Sequence, residues 1–274
     1  MAASSYASPA EKGWYYLHRF ICGVVLLFLI APILIVIPLS FNSIPFFTYP
    51  MPGLSLRWYQ EIFTNDVWTS GLRNSLFIGF SASLVATVLG TLAALGLSRP
   101  NFPWRPVVMS VLMAPLIVPV IITAVAAYFF YADLGLLNTF TGLILAHATM
   151  ATPVVVVTVV ATLAGYDHSL TRAAAGLGAA PITAFFKVTL PLILPGMISG
   201  ALFAFFTSFG ETVVTLFVAG PEQTTLPKVM FSGMREQISP SIIAAATVLV
   251  VFAVVALITV ELLRRRSERL RGIR

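Results

Sequence analysis

The sequence predicts an all-α, polytopic membrane domain of six spanning helices, and three observations carry that prediction. Hydrophobic residues make up 58% of the 274 and charged ones 9%, with mean hydropathy +0.95. An ordinary soluble chain is about a quarter charged. Apolar runs of about twenty residues, the length that crosses roughly 30 Å of hydrocarbon as helix, recur along the whole chain. The formal charge of +6 is unevenly placed, its cations clustering beside those runs. Such a distribution reads as membrane topology and argues against a nucleic-acid partner.

The first span covers about Phe20 to Leu39. It is too long for a cleavable signal peptide, and no small-residue cleavage site follows it. Cys22, the single cysteine, lies inside this run, so no disulfide or cysteine metal site is expected. Pro45, Pro50, Pro52 and Gly53 then break regular structure. Ser55 to Phe63 follows as a short interfacial helix with Trp58 and Tyr59 at headgroup depth, open either to anchoring or to contact with a docking protein. The second span runs from about Asn74 to Leu97, and the third from about Val107 to Tyr131, bent by Pro115 and Pro119. The fourth covers about Phe140 to Leu163 with a bend at Pro153, the fifth Leu190 to Thr207, and the sixth Ile242 to Leu263. Residues 1–19 and 264–274 flank this 20–263 domain, the last segment carrying six arginines that suit an anionic lipid surface.

Charge fixes the expected orientation. With both termini inside, twelve of the sixteen Lys and Arg residues fall on cytoplasmic segments, and only Arg57, Arg73, Lys228 and Arg235 fall outside. Cytoplasmic loops carry such an excess. The same orientation places the loop of about residues 165–190 in the cytoplasm.

That loop is the most informative stretch. Arg172 to Leu177 is Ala-rich and helix-favouring, with small side chains that let another surface approach. Gly176 and Gly178 permit a sharp reversal, and Pro181 suits the first turn of a second short helix. Phe185 and Phe186 follow as an apolar knob beside Lys187. Asp167 and His168 lead in and suit a helix cap. From residue types alone, two readings stay open: a docking elbow for another protein, or an interfacial loop that packs on its own spans.

The spacing resembles the signature loop of ATP-binding-cassette (ABC) importer permeases: Glu-Ala-Ala, three residues, Gly, nine residues, Ile-x-Leu-Pro. Ala173, Ala174 and Gly178 fall on that pattern, Val188 replaces Ile, and Leu190 and Pro191 match. Arg172 occupies the usual acidic position, a departure from the pattern. The resemblance implies a type I importer permease fold and a loop of coupling helices that docks on a separate ATPase. Further segments are similar to the second permease subunit of the spermidine/putrescine-type group. They are Leu56-Arg57-Trp58-Tyr59, Asn65-Asp66, Asn74-Ser75-Leu76, Phe217 to Pro221, Leu226-Pro227 and Ile238-Ser239-Pro240. The resemblance implies a location in the bacterial inner membrane and transport by alternating access. It implies a heterodimer with a related permease, two ATPase subunits that carry ATP and Mg2+, and a periplasmic solute-binding protein. This chain would itself bind no cofactor.

Candidate solute-path residues follow from polarity inside apolar surroundings. Glu211, in Ser208-Phe209-Gly210-Glu211-Thr212, leads, because an ionised carboxylate at membrane depth normally faces a cavity or a partner. The polyamine-type group commonly carries acids at this place, sometimes two in a row; here Gly210 replaces one. A solvated carboxylate, or one paired with Arg73, is the alternative. Asp133 reads as an external turn residue or a path residue, and His147 as a path residue or a hydrogen-bonded link between helices. Tyr128 belongs to an aromatic cluster, Tyr128 to Tyr131, open to belt or cation-cage readings.

Absences narrow the classes. The sequence holds no Gly-x-x-x-x-Gly-Lys-Ser/Thr phosphate loop, no metal-ligand spacing and no hydrolase constellation. An ATP-driven permease that borrows its ATPase is favoured over a self-contained secondary carrier, whose inverted repeats and broken helices are not legible here. Putrescine or spermidine is the first solute choice, with another small amine-bearing or anionic solute as the alternative.

Overall fold

Long helices dominate because apolar backbone can satisfy its own N–H and C=O groups inside a membrane only as helix or closed barrel. The computed structural model describes residues 8–46, 48–99, 102–236 and 239–270, leaving aside the side chains of 236 and 263–270. Twelve α-helices and one π-turn are present among them. Five helices are long and apolar enough to cross a membrane: α1 (Pro9–Leu39), α3 (Asp66–Leu97), α6 (Phe140–Ala164), the continuous run Pro181–Phe209, and the last helix from Pro240.

The expected third span is not one helix. It divides into α4 (Arg105–Ile117) and α5 (Val120–Asp133), bent by 102°. Val118 is extended, with ψ 133°, and Pro119 follows at φ −52°. A residue before proline is pushed out of the helical region, so the chain breaks there and not at Pro115. Only if the bent pair counts as one broken span does the number reach six. Such a broken helix is also the feature that the sequence did not reveal.

Helix starts differ from the hydropathy runs for local reasons. The hydroxyl of Ser8 accepts from the Glu11 amide while the Glu11 carboxylate accepts from Ser8, so α1 begins at Pro9 and not near Phe20. Asn65 caps α3 by accepting from the Val67 amide at 2.9 Å, so the helix starts at Asp66, eight residues before the apolar run. The last helix, α12 (Pro240–Leu270), continues past Leu263 into the arginine run, and residues 271–274 lie outside the described residues.

The chain divides into two units. One comprises residues up to 63 together with 237–251. Here α1 buries none of its residues. The segment after it folds back on itself: Asn42 bridges to Leu54, and the Trp58 indole N–H donates to the Asn42 carbonyl at 2.7 Å. Helix α2 (Arg57–Thr64) forms as expected, but Trp58 is buried at 7% exposure and is no interfacial anchor. The Ser241 hydroxyl donates to the Glu61 carboxylate at 2.8 Å.

The other unit, residues 64–236 with 252–270, holds α3 to α11 and the C-terminal part of α12. Helices α3, α6 and α9 (Leu190–Phe209) pack around small side chains such as Ala82, Ala86, Ala151 and Ala204. A Cβ built on Gly196 would collide with the Thr162 hydroxyl, so only glycine allows α9 to approach α6 so closely. Small residues inside and large ones such as Phe80 and Leu92 outside is the membrane arrangement, since lipid gives no hydrophobic reason to bury bulk. A second cluster joins Ile78, Leu143, Met150, Val214 and Val218. Two of the sequence segments singled out above meet here: Asn74 donates to the carbonyls of Glu222 and Thr224, and Ser75 accepts from the Leu226 amide at 2.8 Å.

Candidate functional site

The site has two parts, at opposite ends of the run Pro181–Phe209. At its start lies the elbow. Asp167 caps α7 (His168–Gly176) by accepting from the Ser169 amide at 2.8 Å and the Ser169 hydroxyl at 2.6 Å. That hydroxyl, then that amide, holds the Asp167 carboxyl below its ordinary value of 3.8, so the cap stays charged. Gly178, at φ +83°, reverses the chain in a conformation open to glycine and strained for other residues. Pro181 opens α8 (Pro181–Ala184), and a π-turn (Phe185–Thr189) runs on into α9.

The elbow is fastened from within. The Tyr166 hydroxyl pairs with the Thr171 hydroxyl at 2.5 Å and the Thr189 hydroxyl at 3.3 Å, tying α7 to the π-turn. Behind it is a cavity of about 480 Å3 lined by Tyr166, His168, Ala175, Phe185 and Thr189 among others. Phe185 therefore turns inward, and the expected two-ring knob is Phe186 alone, 60% exposed. The largest outward apolar groups are ones the sequence did not single out: Leu177, 89% exposed, and Ile182, 73%. Arg172, Ala173 and Pro191 are exposed, while Ala174, Val188 and Leu190 are half-buried. The outward face thus combines small and large apolar side chains with the cations Arg172 and Lys187.

At the other end α9 stops at Phe209, and α10 (Val213–Val218) starts four residues on. Gly210, Glu211 and Thr212 form the break. Glu211 is half-buried, and its Oε1 accepts from the Val214 amide at 2.9 Å. The carboxylate thereby satisfies one of the orphan N–H groups of α10. Its Oε2 has no hydrogen-bond partner among the described residues, and no ion pair links it to Arg73 there.

His147 is 0% exposed, with Nδ1 2.8 Å from the Ser208 hydroxyl and Nε2 3.1 Å from the Thr215 hydroxyl. Both ring nitrogens are engaged and no ring surface is accessible, so the path reading gives way to the link between helices. In the sequence Ser208 was noted beside Glu211 without a role and Thr215 was passed over, although two hydroxyls flanking Glu211 in an apolar stretch were the available signal. Asp133 is exposed at the end of α5, and Tyr128 packs edge-on to Phe129 at 5.5 Å. No hydrogen bond or ring contact brings either to Glu211 among the described residues. A cavity of about 310 Å3 instead lies against Thr123, Phe130, Tyr131, Thr149, Met150 and Val214. Among the described residues no group of three or more His, Cys, Asp or Glu is placed to hold a metal.

An apolar helical bundle with a carboxylate at a helix break and an outward elbow at the far end of the same run defines a membrane permease component. Residues 86–269 match the family described as binding-protein-dependent transport system inner membrane component, and the chain belongs to that family. It is 32% identical over 254 residues to the spermidine/putrescine transport system permease protein PotC of Haemophilus influenzae, covering 93% of this chain and 98% of that one. It is 37% identical over 259 residues to the putrescine transport system permease protein PotI of Escherichia coli K12, covering 90% of each. The fold is shared with a bacterial ABC transporter involved in import of the acidic polysaccharide alginate, at TM-score 0.71 and 15% identity over 96% of this chain and 99% of that one. It is shared also with the MetNI methionine ABC transporter in inward-facing form, at TM-score 0.60 and 20% identity over 72% and 94%. The chain is thus a multi-span permease of the inner membrane and not itself an enzyme. The broken α4–α5 pair, a feature expected of secondary carriers, is thus present in a chain of this family.

Proposed function

We propose that this chain is the second permease subunit of an ATP-driven importer for a polyamine, putrescine or spermidine. The observation that carries the reading is similarity over nine-tenths of the chain to the PotC and PotI polyamine permeases. Its partners would be a related permease, forming a heterodimer, two ATPase subunits holding ATP and Mg2+, and a periplasmic solute-binding protein. The elbow, with Ala173, Gly178, Leu177, Ile182 and Phe186 outward and Ala174 half-buried among them, docks on the ATPase. Arg172, where the family pattern has an acid, meets an acidic or carbonyl group there. Closure of the ATPases on ATP drives the elbow, and the π-turn passes that motion directly into α9. Hydrolysis resets the cavity inward.

Glu211 supplies the countercharge for an ammonium group in transit. Its free oxygen at a helix break suits that role, because a cation leaving water needs a fixed negative partner where the dielectric is low. Tyr128 and Asp133, both exposed on or at the end of α5, would meet the solute near the outer opening. The test uses the assembled transporter in proteoliposomes with labelled putrescine and spermidine. Glu211→Gln should lower uptake about tenfold or more, the scale of one lost charge-assisted hydrogen bond, while all subunits still co-purify. Uptake equal to wild type would remove Glu211 from the path. Stimulation of ATP hydrolysis by an anionic solute, and by neither polyamine, would overturn the polyamine reading.

A further inference from the structure

We infer that His147 is a positioning residue that fastens the helix break, through a one-way chain of hydrogen bonds ending on the backbone of Glu211. The proton inventory sets the direction. The Thr215 hydroxyl has a single proton, and it donates that proton to the Glu211 carbonyl at 3.0 Å. Towards His147, 3.1 Å away, the Thr215 oxygen can only accept, so Nε2 carries the ring proton. A neutral imidazole then has a bare Nδ1, which accepts from the Ser208 hydroxyl at 2.8 Å. The chain runs from Ser208 through His147 and Thr215 to the carbonyl of Glu211.

Its placement gives it a job. Ser208 lies in the last turn of α9 and Thr215 in α10, so one ring on α6 grips both sides of the break. Exposures of 4% for Ser208 and 0% for Thr215 and His147 leave water no access to replace any link. Between the two grips the Glu211 amide donates to the Ser208 carbonyl at 3.2 Å, and its carboxylate accepts from Val214. Glu211 is therefore held by its amide, its carbonyl and one carboxylate oxygen, and the remaining oxygen is aimed by that frame. A buried hydrogen-bonded network is strong when complete and costly when one member is deleted. Rigid support of this kind is what a group meeting a solute requires. His147 touches no solute in this account; it acts through Glu211.

The inference deepens the proposed role of Glu211 and rests on it only for the transport readout. The test therefore has two arms, both in the assembled transporter on a Cys22→Ser background. In the first, Gly210→Cys places a reporter thiol in the break, where a Cβ meets only the Phe206 carbonyl at 3.4 Å. Adding Thr215→Val, Ser208→Ala or His147→Leu should change its rate of reaction with a water-soluble thiol reagent by about tenfold, the scale of a lost buried hydrogen bond. An unchanged rate in all three overturns the inference. If His147→Leu fails to assemble, the two hydroxyl variants decide. In the second arm, putrescine uptake should fall with Thr215→Val at wild-type Gly210. The same change on a Glu211→Gln background should cost nothing more. Full additivity would make the network a general packing feature and overturn the positioning role. Wild-type uptake by Glu211→Gln together with a shifted thiol rate would overturn the Glu211 reading while leaving the brace intact.

Discussion

The elbow before α9 and the break after it both interrupt helix, yet they are built in opposite ways. The elbow keeps its apolar side chains outward: Leu177, Ile182 and Phe186 are all at least 60% exposed. It is held by the Asp167 cap, the positive φ of Gly178 and the ties of the half-buried Tyr166 hydroxyl to Thr171 and Thr189. The break is held from inside by a buried histidine and two hydroxyls. The elbow leaves these apolar side chains uncovered. The break pairs His147, Ser208 and Thr215 with one another and leaves one oxygen of Glu211 free among the described residues.

The largest effect should come from the face that the elbow leaves uncovered. Replacing Leu177 and Ile182 together by Asp puts two charges into the docking surface, and should abolish co-purification of the ATPase and all uptake. Retained association would make the elbow a self-contained loop. Next comes Gly178→Val. A β-branched residue at φ +83° costs about 1–3 kcal/mol, so uptake should fall at least fivefold, with the span assembly unaffected in gel filtration. A smaller change is expected from Tyr166→Phe, which unties α7 from Thr171 and Thr189 without touching the docking face. ATP hydrolysis should persist while solute moved per ATP drops about two- to threefold, the scale of one neutral hydrogen bond.

The smallest effect concerns Asp167 and pH. Its carboxyl is depressed by Ser169, so the charged cap is fully present above the ordinary value of 3.8 and is lost only as pH falls through its lower folded value. The ratio of uptake between wild type and Asp167→Asn should therefore be constant from pH 6 to pH 8. A ratio that changes across that range would show the cap titrating where the structure says it does not.

How far each region could be read in the sequence follows from the same contrast. The elbow is local: its cap, its glycine and Pro181 act within a few residues, so spacing along the chain reveals them. Even there Phe185 turned inward and Leu177 outward, because direction depends on the cavity behind the π-turn. The break is non-local. His147 stands 61 residues from Ser208 and 68 from Thr215, and no pattern in one sequence pairs residues at that distance. Glu211 was legible as a charge out of place, but not that its carboxylate would cap α10. The 102° turn at Val118–Pro119 was legible only as a bend, since proline announces a broken hydrogen bond without setting the angle. Helix starts at Pro9 and Asp66 were legible in principle, through Ser8 with Glu11 and through Asn65, where hydropathy alone overlooked the caps.

The central claim is that the elbow is the surface on which a nucleotide-hydrolysing partner grips this chain. Its most direct test is Leu177→Cys on the Cys22→Ser background, treated with a short photoactivatable thiol reagent in the assembled, transporting complex. The account predicts a covalent adduct between this chain and the ATPase subunit, absent when the ATPase subunit is left out. Efficient labelling at position 177 with no adduct, in a complex that still imports solute, would contradict it.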